Sequence, residues 1–130
     1  MGDCQVCIGR DDWESPEFYN YEYPKARKEH NCVECGRTIA KGQEYERYTS
    51  KFDGHLSTEK TCMDCMNIRN AFTCDGSASP PFGDLWYEIQ GNFPHLTSTA
   101  CLTKIKTPSA KEYFLDRWRK WKFKDNPINT

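Results

Sequence analysis

The chain has 130 residues and is polar for its size, with 37% hydrophobic and 28% charged residues. This length leaves room for one compact domain with a small apolar core, and small cores usually need disulfides or a bound metal ion. A membrane-spanning helix is excluded, because no stretch approaches the ~20 apolar residues that one requires.

Charge is distributed unevenly along the chain, although the formal net charge is only −1. Residues 1–24 hold six acidic residues and one basic residue, whereas residues 103–130 hold eight basic and three acidic residues. Such asymmetry predicts either an interaction tail or packing of the two ends against each other.

The first segment, residues 1–24, is acidic and rich in aromatic residues and contains the pair Cys4-x-x-Cys7. Without clear periodicity it is predicted to be an extended loop, held by side chains such as Trp13, Tyr19 and Tyr21 rather than by secondary structure. The start of the chain shows no secretory leader, which favours a cytoplasmic protein whose paired thiols bind metal rather than form disulfides.

The central segment, residues 25–76, carries two further pairs, Cys32-x-x-Cys35 and Cys62-x-x-Cys65, separated by 26 residues. Between them the sequence predicts short strands at 38–39 and 43–52, a turn at Asp53-Gly54 and a return strand at 55–60. A helix is predicted over 61–72, with Thr61 as its cap. Four thiolates brought together in this way suit a tetrahedral Zn²⁺ site of the treble-clef type.

The last segment, residues 77–130, is predicted to be helical. Asp84 is expected to cap a short helix that buries Leu85, Trp86 and Ile89 and ends at Gly91, with Pro94 marking the stop. A weaker helical pattern covers 96–105, and a final helix starts at 108–109 and runs to about residue 124.

A second zinc site is also predicted, because Cys4 and Cys7 need two more ligands to close a tetrahedron. Cys74 is the favoured third ligand and His30 the favoured fourth. Cys101 and the other histidines are alternatives for the fourth position, although Cys101 has the apolar neighbours of an ordinary buried thiol. The remaining interpretation is that Cys4 and Cys7 are free thiols.

Enzymatic activity is not expected from these residues. Treble clefs occur in HNH-type nucleases, but here Met66 follows the second pair, and His55 lies in the turn rather than at the end of the first strand. A central site filled by four thiolates has no open position for water, so its zinc is predicted to be structural. A degenerate nuclease that uses His55 is kept as the third possibility.

The final helix carries an apolar stripe of Phe114, Leu115, Trp118 and Trp121 at helical spacing. Its basic residues Arg117, Lys120 and Lys124, together with Trp121, are the candidate partner-binding residues. They could contact nucleic-acid phosphates or an acidic partner protein. Alternatively, the stripe completes the core and the basic residues face solvent. Membrane binding is disfavoured, because the apolar face is short.

Several motifs together resemble a group of small zinc-binding proteins of tailed bacteriophages and prophages. The resemblance rests on residues 25–39 (KARKEHNCVECGRTI), 42–46 (GQEYE), 52–54 (FDG), 61–65 (TCMDC), 82–86 (FGDLW) and 117–121 (RWRKW). It implies a phage accessory protein that acts in the bacterial cytoplasm, and it carries no activity with it.

The sequence therefore predicts a small zinc-stapled α+β domain, with a treble-clef-like hairpin and helix followed by additional C-terminal helices. We expect a non-enzymatic protein that binds a host macromolecule, most simply a protein complex such as one of a host defence system, with no small-molecule substrate. The alternative is a nucleic-acid-binding zinc protein that uses its basic last helix.

Overall fold

The computed structural model describes residues 4, 6–9, 18–74, 79–96 and 98–125. Residues 123–125 are described by their backbone alone. In this part of the chain, strands come first and helices follow. The strands are β1 (Phe18–Glu22), β2 (His30–Asn31), β3 (Thr38–Ile39), β4 (Tyr45–Phe52) and β5 (His55–Cys62). The helices are α1 (Met63–Phe72), α2 (Leu85–Gln90), α3 (Phe93–Leu96), α4 (Thr99–Leu102) and α5 (Pro108–Asp125).

Two antiparallel sheets form the β part of the fold. β2 and β3 make a two-stranded hairpin around the first cysteine pair, and the larger sheet has the order β1-β4-β5. Asp53 (φ 49°) and Gly54 (φ 80°) connect β4 to β5. Positive φ at both positions is the signature of the type I′ turn that an Asp-Gly pair favours, so the predicted hairpin is confirmed.

Strand β1 corrects the prediction of an irregular loop over residues 1–24. Residues Phe18–Glu22 pair with β4 in antiparallel register, with Tyr21 opposite Tyr48. All five are exposed, so β1 lacks the alternation of buried and exposed residues that identifies a strand in a sequence. Trp13 lies outside the described residues.

Helix α1 begins two residues later than predicted. Thr61 still belongs to β5, and the cap is Cys62, whose Sγ accepts a hydrogen bond from the backbone N–H of Cys65. The helix starts later because the antiparallel pairing of β4 with β5 continues to Tyr45 and Cys62. The hydroxyl of Thr61 is buried and has no hydrogen-bond partner.

Helix α2 buries Leu85, Trp86 and Ile89 as predicted, but its cap is different. Asp84 occupies the cap position without a side-chain hydrogen bond. Instead, Oε1 of Glu34 accepts hydrogen bonds from the backbone N–H groups of Gly83 (2.9 Å) and Leu85 (3.1 Å). Glu34 lies within the first cysteine pair, so the metal-binding hairpin and α2 are directly linked.

Removal of the Glu34 carboxylate should therefore destabilise the protein. Burial raises the pKa of Glu34 to about 7, although the two backbone N–H donors lower it. We expect Glu34→Ala to cost ~1–2 kcal/mol, the usual value of a lost helix cap. Glu34→Gln keeps an acceptor oxygen and removes the buried charge, so it should retain most of the stability. Urea unfolding of the two metal-loaded variants makes the comparison, and equal losses would contradict this role of Glu34.

Of the weaker helical pattern over 96–105, the structure forms the single turn α4, which starts after Ser98. Pro94 follows the end of α2 at Gln90 and Gly91, as predicted, and itself lies inside the separate single turn α3. The Ser98 side chain caps α4 by accepting a hydrogen bond from the N–H of Cys101 at 3.3 Å.

Helix α5 completes the core, as its apolar stripe predicts. Phe114 is fully buried and lies 5.6 Å from Phe72 of α1 and 5.5 Å from Phe93 of α3, measured between ring centroids. Leu115, Trp118 and Trp121 are half-buried against the same core. No helix in the described ranges is both long enough and apolar enough to cross a membrane.

The observed fold is the predicted small α+β domain with a treble-clef-like centre. It also contains a buried ion pair that the sequence did not reveal. Arg69 of α1 donates two hydrogen bonds to Glu46 of β4, from Nη1 to Oε1 at 2.7 Å and from Nη2 to Oε2 at 2.6 Å. Both residues are buried. This bidentate pair joins the face of the sheet to the helix that follows it.

Candidate metal centre

The two central cysteine pairs meet at one end of the β4–β5 hairpin. Cys32 and Cys35 come from the turn between β2 and β3, Cys62 ends β5, and Cys65 lies in the first turn of α1. Their four Sγ atoms all lie within 4.8 Å of one another, and the Cys35 and Cys62 sulfurs are 3.9 Å apart. A tetrahedron with Zn–S bonds of about 2.3 Å has sulfur–sulfur edges of about 3.8 Å. The predicted cluster is confirmed as a group that can hold a metal ion.

Hydrogen bonds to the sulfurs fix their positions. The backbone N–H of Cys62 donates to Sγ of Cys32 at 3.3 Å, and that of Cys65 donates to Sγ of Cys62 at 3.5 Å. The indole Nε1 of buried Trp86 donates to Sγ of Cys65 at 3.3 Å. Such donors favour the charged thiolate, which is the form that binds metal.

The thiols are electrostatically coupled. The hydrogen bond with Cys35 raises the pKa of Cys32, but those with Cys62 and Cys65 outweigh it and lower the value to about 6. Hydrogen bonds from Cys32, Cys62 and Cys65 lower the pKa of Cys35 well below its usual range. Hydrogen bonds with Cys32 and Cys35 raise the pKa values of Cys62 and Cys65. The four thiols therefore titrate as one coupled group, and a divalent cation would displace the protons that they still hold.

Arg37 supplies positive charge beside the cluster. Its Nη2 lies 3.5 Å from Sγ of Cys62 and 3.0 Å from Oδ2 of Asp64, and its guanidinium carbon lies 3.5 Å from the centre of the Tyr113 ring. Four thiolates around one divalent cation leave two surplus negative charges, which a nearby guanidinium partly offsets. Arg37 also connects the cluster to α5, where Ser109 donates to Asp64 at 2.7 Å.

The Trp86 hydrogen bond gives a specific test of how the cluster is supported. Trp86→Phe keeps an aromatic ring but removes the donor to Cys65, and loss of a partner that supports a ligand typically lowers metal affinity by ~10–100-fold. We expect that decrease in competition titrations with a chromophoric chelator. Trp121→Phe is the matched control, because Trp121 packs on Phe93 of the same core but donates no hydrogen bond to the four sulfurs. An equal decrease in both variants would show that general packing, and not this donor, is responsible.

The histidine considered as a catalytic base lies far from the cluster. His55 is exposed at the start of β5, and Cys62 ends that strand. Seven strand positions separate them, which corresponds to roughly 23 Å. All four candidate ligands are thiols, so a tetrahedral ion here would have no open position for a reacting water. An ion bound here would join the β2–β3 hairpin to α1.

The predicted second zinc site of Cys4, Cys7, Cys74 and His30 is not formed in the structure. Cys4 is bonded to Cys101, and Cys7 is bonded to Cys74. Cys4, Cys7 and Cys74 are therefore joined to other cysteines, and the favoured fourth ligand was wrong. The His30 ring packs instead against Tyr45, with centroids 5.3 Å apart, because the pairing of β2 with β3 holds it there.

The candidate partner-binding residues of α5 are partly engaged within the molecule. Nη1 of Arg117 donates to the Tyr113 hydroxyl at 3.1 Å, and its guanidinium carbon lies 4.2 Å from the centre of the Trp86 ring. Lys120 forms an exposed ion pair with Asp116 at 3.1 Å, and Trp121 packs on the core. The Lys124 side chain lies outside the described part of the chain.

Sequence reasoning missed three residues that support the centre: Glu34, Arg37 and Trp86. Each contacts residues that are distant in the sequence, so the spacing of residues along the chain does not reveal its role. The only signal for Glu34 and Arg37 was their position within or next to the first cysteine pair. No family model, curated protein or solved structure matches this chain.

Proposed function

We propose that Cys32, Cys35, Cys62 and Cys65 bind one structural Zn²⁺ ion and that the protein thus stabilised acts by binding another protein. The observation that carries the metal proposal is the group of four sulfurs within 4.8 Å of one another, since four thiolate ligands favour zinc among the common divalent ions. The proposed role requires no catalysis, because the ion would hold the fold together rather than meet a substrate.

The proposed protein-binding surface is the β1 patch, which we define as Phe18, Tyr19, Tyr21 and Tyr23. These side chains are 52%, 59%, 37% and 48% exposed, respectively. Aromatic side chains, tyrosine and phenylalanine among them, are enriched at protein interfaces. The rings of Tyr19 and Tyr21 contact each other and Tyr48, which in turn stacks on Phe82 at 4.6 Å between centroids. Tyr19 and Tyr21 are therefore supported by the sheet and held in a fixed arrangement, while Phe18 extends the exposed aromatic surface on the other face of β1.

The backbone of β1 favours the same conclusion. β1 is an edge strand of the sheet, which has the order β1-β4-β5, so its outer edge has no strand partner among the described residues. Exposed edges are usually protected by lysine, proline or a bulge. The sequence FYNYE contains neither lysine nor proline. Such an edge can take an extended segment of a partner protein as an additional strand.

The motifs shared with small phage and prophage zinc proteins support a setting for this role. We propose that the partner is a protein complex of a bacterial host, such as one that serves in defence, and that binding occurs in the bacterial cytoplasm. On this proposal, the basic residues of α5 are not the main contact. Arg117 and Lys120 already have partners within the molecule, as described above.

Affinity capture from a bacterial lysate tests the proposed surface. We expect the tagged, zinc-loaded protein to retain a defined partner protein and the double variant Phe18→Ser and Tyr19→Ser to lose it. Tyr87→Ser is the matched control, because Tyr87 is 77% exposed but lies on α2, away from β1. It should retain the partner. Circular dichroism confirms that all three proteins are folded.

Two outcomes would contradict the proposal. One is the absence of any stable partner, and the other is a partner that the double variant still retains. The protein could instead retain nucleic acid that nuclease removes and that dissociates steeply as salt is added. This result would support the basic helix α5 as the functional surface. Cleavage of nucleic acid that disappears in His55→Ala would support a nuclease.

A further inference from the structure

Four cysteines lie outside the central cluster, and the structure gathers them around a single Cys-x-x-Cys motif. We call Cys4, Cys7, Cys74 and Cys101 the peripheral quartet. Its bonds are Cys4–Cys101 and Cys7–Cys74. Three Cα–Cα steps connect Cys4 to Cys7 and span at most ~11 Å, so the two bonds are close neighbours.

The surroundings of the quartet repeat features of the central cluster. The backbone N–H of Cys74 donates to Sγ of Cys7 at 3.2 Å, as that of Cys62 donates to Sγ of Cys32. Cys74 follows the end of α1, and Cys101 belongs to α4. Each cluster thus combines a short Cys-x-x-Cys segment with sulfurs carried at or near helices. Next to the Cys7–Cys74 bond, the buried Ile8 donates its N–H to the carbonyl of Phe72 at 2.9 Å. This hydrogen bond anchors residues 6–9 to the end of α1.

The two clusters have opposite redox requirements. The central one holds four free cysteines with sulfurs within 4.8 Å of one another, while the quartet is fully oxidised. Conditions that form disulfides at Cys4 and Cys7 would also oxidise free thiols that lie so close together, unless a metal ion protects them. Reducing conditions that preserve the central thiols would in turn reduce disulfides such as Cys7–Cys74, whose Cys74 is exposed.

We infer that the peripheral quartet, when reduced, is a second four-thiolate zinc site. A dithiol reductant would deliver two electrons and two protons to each disulfide and become a disulfide itself, which leaves four thiols. Zn²⁺ then binds four thiolates and displaces four protons to solvent. The disulfide and zinc forms are alternative ways to hold residues 4–9 against the helical part. Cys101 takes the place that sequence reasoning gave to His30.

Metal content in two redox states tests this inference. The full-length protein is reduced with a phosphine, loaded with Zn²⁺, freed of excess metal by gel filtration and analysed by elemental analysis. A second sample is loaded in the same way and then oxidised with a diazene oxidant. We expect two zinc ions per chain in the reduced sample and one in the oxidised sample, because Cys74 of the quartet is exposed to the oxidant whereas Cys32 and Cys65 of the central cluster are buried. The double variant Cys74→Ser and Cys101→Ser should bind one zinc in the reduced state, and His30→Ala should still bind two.

Each other result would overturn the inference. One zinc in the reduced protein would show that the quartet does not bind metal, and two in the double variant would place the second ion elsewhere. Loss of zinc from His30→Ala would restore the histidine as a ligand. Failure of the first site is distinguishable, because the double variant would then bind no zinc at all.

Discussion

Cys65→Ser is expected to abolish metal binding at the central cluster and to leave the protein largely unfolded. Cys65 is fully buried and accepts the hydrogen bond from Trp86, so it joins the site to the core. Structural zinc sites contribute ~10–16 kcal/mol at neutral pH, while whole domains are stable by only ~5–15 kcal/mol. A site with three thiolates cannot keep that contribution. Far-ultraviolet circular dichroism and zinc content of the purified, reduced variant measure the effect.

Cys74→Ser is the matched control for this prediction. It is also a cysteine-to-serine change, but Cys74 is exposed and lies outside the central cluster. We expect this variant to lose the attachment of residues 4–9 but to keep the central metal ion and the secondary structure around it. A Cys65→Ser protein with unchanged circular dichroism and melting temperature would show that the fold does not depend on the ion.

Arg69→Met is expected to destabilise the protein by ~3–5 kcal/mol, the range observed when one partner of a buried ion pair is removed. Methionine fills a similar volume, so the loss would come mainly from the Glu46 carboxylate, which stays fully buried without its guanidinium. The Tyr23 hydroxyl, 3.5 Å from Oε2 of Glu46, is too weak a donor to replace two short hydrogen bonds. Urea unfolding of the metal-loaded protein measures the change.

Two further variants establish the cause of that loss. Adding Glu46→Leu to Arg69→Met removes the orphaned charge and should recover most of the stability, because apolar replacements of buried pairs are often neutral. Arg47→Met is the surface control, since its pair with Glu22 is 39% and 48% exposed and should cost less than ~1 kcal/mol. Equal losses in Arg69→Met and Arg47→Met would contradict the importance of burial.

Local signals made the centre of the fold predictable. The spacing within each cysteine pair and the Asp-Gly turn act over a few residues, and together they placed β3 to α1, although not β2. Gly36 has φ 78°, a conformation that other residues adopt with strain, which explains why glycine stands there. The buried face of α2 and the stripe of α5 were likewise visible, because helical periodicity is local.

Contacts between distant residues were not predictable from the sequence. Strand β1 is defined by its pairing with β4, while its own side chains are exposed on both faces and show no period of two. Glu46 and Arg69 look like ordinary surface charges until the sheet and α1 bring them together. Cys101 has the apolar sequence neighbours of a buried thiol and is indeed 2% exposed. Those neighbours therefore did not indicate its disulfide with Cys4.

X-ray absorption spectroscopy at the zinc edge, on the reduced Cys74→Ser and Cys101→Ser protein, tests the central proposal most directly. With the peripheral quartet disabled, the spectrum reports on Cys32, Cys35, Cys62 and Cys65 alone. We predict four sulfur neighbours at about 2.3 Å and no nitrogen or oxygen ligand. A nitrogen or oxygen neighbour in the coordination shell, or a protein without bound zinc, would contradict a closed structural site.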